Sequence, residues 1–86
     1  MILNNQIIFR KEFDNSGVLF DPDSGNVVGV NPVGGIIWES LEQNLEKDKI
    51  FVRLHEQVAN LPPEVDLYRD VEDFLNDLQR RGFLSR

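Results

Sequence analysis

The chain has 86 residues, of which 41% are hydrophobic and 28% are charged, and its formal net charge at pH 7 is -6. This composition is typical of a globular protein, and the length predicts a single domain, residues 1–86, with a thin core. Because the sequence contains no cysteine, disulfides, thiolate metal sites and a thiol nucleophile are excluded, and a reducing, cytoplasmic location is expected. We expect no signal peptide and no membrane-spanning segment, and the negative charge disfavours nucleic acid and anionic membranes as partners.

The first third of the sequence predicts a three-stranded antiparallel meander. Residues 7–13 place apolar side chains at nearly every second position, which is typical of a half-buried strand. Residues 15–17 have a turn composition, and residues 18–20 follow as a second strand. The stretch 21–26 contains proline and glycine and predicts a tight reversal. The third predicted strand is Val27–Val30.

A helix is predicted to begin directly after the third strand. Asn31 can cap the free amide groups of a first helical turn, and the fixed torsion of Pro32 suits the first helical position. The apolar pattern continues to about Asn44. Gly34 and Gly35 each lower helix propensity by about 1 kcal/mol. Their presence indicates that another element packs closely against this helix.

Two further helices complete the predicted fold. Asp48 is the expected cap of the second helix, which the proline pair 62–63 ends. Asp66 is the expected cap of the third helix, and Gly82 is its C-terminal stop. Residues 83–84 are expected to fold back onto the core. The predicted class is α+β, a winged-helix-like fold with a three-stranded antiparallel sheet followed by three helices.

The sequence offers no set of residues for catalysis. His55 is the only histidine, and no nucleophile or carboxylate lies at a diagnostic spacing from it. Residues 21–25 resemble a calcium loop only faintly, and the glycine pair 34–35 is not followed by the lysine of a phosphate-binding loop. We therefore predict that the protein is not an enzyme and has no cofactor or metal site.

The third predicted helix carries a row of carboxylates. Asp70, Asp73 and Asp77 recur at helical spacing and share one face. Such a row is usually solvated, although binding of a hard cation remains an alternative. A further interpretation is that this face borders a ligand groove and favours basic ligands over acidic ones.

Two segments of the chain together resemble the PqqD family. They are residues 31–41, which read NPVGGIIWESL, and residues 70–84, which read DVEDFLNDLQRRGFL. In that family an asparagine opens the first helix before a small residue and an Ile-Trp pair, and the last helix ends with a leucine followed by a glycine. The resemblance spans about residues 7–84. The family supplies leader-peptide recognition domains for ribosomally made, post-translationally modified peptides.

The resemblance implies a mechanism and a set of site residues. A disordered leader peptide would add as a fourth strand to the open edge of the third predicted strand. The partners would be this precursor peptide and a peptide-modifying enzyme such as a radical SAM maturase. The implied backbone edge is formed by Val27, Val28, Gly29 and Val30. The implied floor of the groove is formed by Val71, Phe74 and Leu78. Its implied rim is formed by Asp70, Asp73, Asp77 and Arg81.

Two other functions are compatible with the predicted fold. An unpaired strand edge can join a second copy of the chain, so a self-associating, homodimeric module is one alternative. A winged-helix DNA-binding protein is another, with the third helix in the major groove. The acids of residues 66–81 outnumber the bases, which argues against phosphate contacts there.

Overall fold

The computed structural model describes residues 1–86 and contains five strands and three helices. The three-stranded sheet is antiparallel in the order β2-β3-β4, and β1 pairs antiparallel with β5. The predicted α+β class, with a three-stranded meander followed by three helices, is confirmed; the β1–β5 ribbon was not predicted. In chain order the elements are β1 (Ile2–Leu3), β2 (Ile8–Lys11), β3 (Gly17–Phe20), β4 (Val27–Val30), α1 (Pro32–Glu42), α2 (Lys47–Gln57), α3 (Glu64–Arg80) and β5 (Leu84–Ser85).

The N-terminus of α1 has the predicted cap. The side chain of Asn31 accepts a hydrogen bond from the amide of Gly34 at 2.8 Å. The expected close packing is also present, because a Cβ on Gly35 would overlap the carbonyl oxygen of Asn15 in the β2–β3 turn and lie 3.2 Å from Phe9 Cζ. The glycine at position 35 therefore allows this turn to rest directly on α1.

The predicted caps of α2 and α3 are wrong. Glu46 and Pro63 occupy the N-cap positions, and neither forms a side-chain capping hydrogen bond. Asp48 and Asp66 lie in the first helical turn instead. Carboxylates at those positions interact favourably with the positive end of the helix dipole, so aspartate in the first turn and aspartate at the cap leave similar sequence patterns.

The hydrophobic core lies between the inner face of the sheet and the three helices. Helix α3 contributes one stripe of four residues that are 0% exposed, at spacings of three and four, which is typical of an amphipathic helix. Phe83 and Leu84 fold back into this core as predicted, and Trp38 is buried with them. The α3 stripe consists of Leu67, Val71, Leu75 and Leu78.

The carboxylate of Glu72 links α3 to two other parts of the chain. Glu72 accepts hydrogen bonds from Lys47 at the start of α2 and from Arg86 at the C-terminus, the latter at 3.2 Å. The hydrogen bond from Lys47, followed by the contribution of Arg86, holds the pKa of Glu72 below its ordinary value. The ionised form of Glu72 therefore stabilises the packing of α2 against α3.

The two ends of the chain meet in the β1–β5 ribbon. Ile2 lies opposite Ser85 and Leu3 opposite Leu84, and the amide of Asn4 donates a hydrogen bond to the carbonyl of Phe83 at 3.0 Å. None of the helices combines the length and the apolar character needed to cross a membrane.

Candidate functional site

Strand β4 is an outer strand of the sheet, and the hydrogen bond that closes the β3–β4 turn determines which way its peptide groups point. The amide of Asp21 donates to the carbonyl of Asn26 at 2.9 Å. Hydrogen-bonded pairs in an antiparallel ladder alternate with non-bonded pairs. The next bonded residue of β4 is therefore Val28, opposite Leu19, and the one after it is Val30. Both direct their backbone groups toward β3.

The remaining residues of β4, Val27 and Gly29, direct their N–H and C=O groups to the open side. The β2–β3 ladder agrees with this assignment, since the amide of Glu12 donates to the carbonyl of Ser16 at 2.7 Å. Counting from that bond, Val18 and Phe20 are the residues of β3 that exchange backbone hydrogen bonds with β2. Leu19 directs its backbone groups to the other side, toward β4. The open edge of β4 thus consists of the backbone N–H and C=O groups of two residues, Val27 and Gly29. The prediction that all four residues of Val27–Val30 form this edge is corrected.

The side chains of β4 alternate between the two faces of the sheet. Val28 is half-buried and Val30 is buried on the inner face, whereas Val27 is 61% exposed on the outer face. The position of Gly29 is unobstructed, because a Cβ there would meet no atom within 4 Å. The face of the sheet is therefore open at Gly29.

A cavity of about 480 Å³ adjoins the end of β4 and lies between α1 and α3. Its apolar walls include Val33 and Phe74, and Pro62 of the α2–α3 connection closes one side. A Cβ on Gly34 would lie 3.2 Å from Val30 Cβ and 3.3 Å from Phe74 Cζ, so the strand, α1 and α3 converge at this point. We call the open edge of β4 together with this cavity the β4–α3 groove.

The predicted floor residues do not all lie in the groove. Phe74 is half-buried and lines the cavity, as a floor residue should. Val71 and Leu78 are 0% exposed and lie outside the cavity lining, so neither is a floor residue of this cavity. Val33 and Pro62 were missed, because they join the cavity only through the tertiary arrangement of α1 and the α2–α3 connection.

The predicted rim residues divide into two pairs. Asp70 and Asp73 are exposed and line the cavity, and neither forms an ion pair. Asp77 and Arg81 lie outside the cavity lining and pair with each other, Arg81 Nε donating to Asp77 at 2.9 Å. The hydrogen bond from Arg81, with a smaller contribution from Arg80, lowers the pKa of Asp77.

The structure brings together no group of three or more His, Cys, Asp or Glu side chains that could hold a metal ion. His55 is exposed on α2, away from the residues that line the cavity. What the groove presents is backbone hydrogen-bonding groups, apolar walls and two carboxylates. This combination suits the binding of an extended polypeptide.

The fold and groove define a small α+β domain in which an open strand edge lies beside a helix-lined cavity. The family model described as Coenzyme PQQ synthesis protein D (PqqD) matches residues 16–84, and the chain belongs to this family. A solved structure, TbiB1 in complex with the TbiA(beta) leader peptide, is similar to the chain with a TM-score of 0.79 and 24% identity, covering 99% of this chain and 95% of that one. A likeness at this identity shows the shared fold. A search of the curated proteins finds no match.

Proposed function

We propose that the chain is a non-catalytic module, formed by residues 1–86 as one domain, that captures the leader segment of a ribosomally made precursor peptide. The leader adds as a strand to β4 and is presented to a modifying enzyme, such as a radical SAM maturase, in the cytoplasm. The observation that carries the proposal is the outward direction of the Val27 and Gly29 peptide groups beside the cavity. Membership of the PqqD family supports it, as does a similar fold solved with a leader peptide.

The groove offers enough interaction energy for reversible binding. Val27 and Gly29 each present a donor and an acceptor, and roughly four main-chain hydrogen bonds contribute about 0.5–1.5 kcal/mol each. Two apolar peptide side chains, one against Phe74 and one against Val28, add about 1.5–3 kcal/mol each when fully buried. Ordering the peptide and restricting its motion subtract several kcal/mol. The gross gain is about 5–12 kcal/mol, so the net is at most about 8 kcal/mol, and a Kd near micromolar is the tightest binding that these contacts support.

The test is a fluorescence anisotropy titration of labelled peptides encoded near the gene, comparing two proline variants. Gly29→Pro removes an outward donor and leaves the bonds to β3 in place, and proline is tolerated in edge strands. Lys11→Pro is the matched control, because the same alternation turns the amide of Lys11 outward on β2, at the opposite edge of the sheet.

We expect Gly29→Pro to weaken binding about two- to tenfold, as the loss of one main-chain hydrogen bond of about 0.5–1.5 kcal/mol implies, and Lys11→Pro to bind like the unmodified chain. Circular dichroism establishes that both variants are folded. Equal binding by a folded Gly29→Pro variant would rule out strand addition at β4.

Self-association is the second candidate, and the same observation favours it. The outward groups of Val27 and Gly29 could pair with β4 of another copy. Light scattering at increasing protein concentration distinguishes the two functions. A concentration-dependent dimer that Gly29→Pro abolishes, with no binding of any candidate peptide, would replace the leader-peptide proposal.

A further inference from the structure

The carboxylates of α3 differ in whether a cation neutralises them. Asp66 pairs with Arg69 at 3.8 Å, and Glu72 and Asp77 are each held by two cationic side chains. Asp70 and Asp73 form no ion pair, and they are the two α3 carboxylates that line the cavity. The nine residues lining the cavity include no lysine, arginine or histidine. Negative charge is therefore uncompensated at the groove itself.

A second acidic feature lies at the other end of the β4 edge. The β3–β4 turn contains Asp21 and Asp23, which form no ion pair. The side chain of Asp21 accepts hydrogen bonds from neutral donors, the amide of Asp23 at 3.0 Å and the hydroxyl of Ser24 at 2.8 Å. These bonds fix the orientation of the carboxylate but leave its charge in place. Both ends of the open edge thus border negative charge, in a chain whose net charge is -6.

We infer that the β4–α3 groove selects a cationic peptide segment in which an apolar side chain that enters the cavity is accompanied by lysine or arginine on the same face of the added strand. This inference rests on the proposed function and specifies its ligand. It follows from the combination of apolar walls with unpaired carboxylates, since a groove that is both apolar and acidic favours a segment that is both apolar and basic.

The spacing of the two elements is compatible with this arrangement. Side chains two residues apart in an extended peptide share a face and lie about 7 Å apart. Asp70 and Asp73 are separated by about 4.5 Å along the axis of α3 and lie on neighbouring turns. With an apolar side chain beside Phe74, a basic side chain two positions away can lay its aliphatic stem along the cavity wall and place its charged end at either carboxylate. A glutamate at the same position meets like charge.

The test uses three synthetic probes that differ only in charge. Each is a capped, fluorescein-labelled nonapeptide with a central leucine, threonine at most other positions, and lysine, glutamine or glutamate two residues to either side of the leucine. Because exposed ion pairs are individually weak, we expect the lysine probe to bind about three- to thirtyfold more tightly than the glutamine probe and the glutamate probe to bind most weakly. The difference should shrink in 0.5 M salt, where the Debye length is only about 4–5 Å.

The protein variants locate the source of the preference. The double variant Asp70→Asn/Asp73→Asn should lose most of the preference for lysine. The control Glu12→Gln/Glu46→Gln changes the net charge by the same amount at exposed residues outside the cavity lining, and should keep the preference.

Binding that is equal for the three probes overturns this inference, and so does a lysine preference that survives in Asp70→Asn/Asp73→Asn. In either case strand addition is still supported if Gly29→Pro weakens binding and Lys11→Pro does not. Failure of all three probes and of the gene-adjacent peptides to bind would instead overturn the proposed function together with the inference.

Discussion

Replacing Gly35 by alanine tests how closely the β2–β3 turn packs against α1. The new Cβ would overlap the carbonyl oxygen of Asn15, and it would lie 2.9 Å from the carbonyl carbon of that residue and 3.2 Å from Phe9 Cζ. Two of these atoms belong to the backbone and cannot rotate away. Either the turn or the helix must therefore move.

The magnitude follows from two opposing terms. Overpacking a well-packed site costs typically 1–3 kcal/mol, and a backbone overlap belongs at the upper end of that range. Replacing glycine by alanine inside a helix recovers about 1 kcal/mol. We expect Gly35→Ala to lower the free energy of unfolding by about 2 kcal/mol, which corresponds to a decrease in Tm of roughly 8–16 °C for a domain of this size.

Urea denaturation followed by circular dichroism measures this change, and the neighbouring glycine provides the control. A Cβ on Gly34 would meet Val30 Cβ, Phe74 Cζ and Asn31 Oδ1 at 3.2–3.4 Å, and shifts of a few tenths of an ångström relieve contacts of this length. The helix-propensity gain should offset that crowding, leaving Gly34→Ala within about 1 kcal/mol of the unmodified chain. A Gly35→Ala variant as stable as Gly34→Ala would refute the argument from close packing.

Three further predictions concern single side chains. Asn31→Ala removes the acceptor for the Gly34 amide and should destabilise the fold by about 1 kcal/mol in the same urea assay, whereas an unchanged midpoint would mean that the cap is dispensable. Leu75→Ala opens a cavity in the α3 stripe and should cost about 2–5 kcal/mol; a loss below 1 kcal/mol would show that the site collapses. Because the folded-state pKa of Glu72 is lowered, its stabilisation is present at neutral pH and is lost as the pH falls below about 4.5. Glu72→Gln should therefore be less stable at pH 7, with the difference shrinking as the pH falls below 4.5 and the carboxyl group of Glu72 becomes protonated in the folded state, and a difference that is constant with pH would contradict the role of the Lys47 contact.

The elements that were predicted well are those whose sequence pattern lies within one continuous segment of the chain. The apolar stripe of α3 and the Asn31-Pro32 start of α1 each have a physical signature within a few residues. The β1–β5 ribbon has none, because strands of two residues cannot show alternation and the two strands lie at opposite ends of the sequence.

The candidate site was predicted less completely for two physical reasons. Periodicity identified the apolar face of α3, but it could not show that neighbouring elements cover Val71 and Leu78 while leaving Phe74 at the cavity. The alternation of backbone groups on β4 depends on the phase of the ladder, and that phase is set by the turn hydrogen bond between Asp21 and Asn26. Composition alone does not reveal such a bond.

The β1–β5 ribbon has a consequence for how this domain can be connected to other polypeptides. Since Ile2 lies opposite Ser85, two linkers leaving the N- and C-terminal ends would start only about one strand spacing apart, on the order of 5 Å. A host protein could accept the whole unit between two neighbouring residues of a surface loop without being forced open. A circularly permuted chain with the old ends joined by a few glycines should likewise keep the same fold.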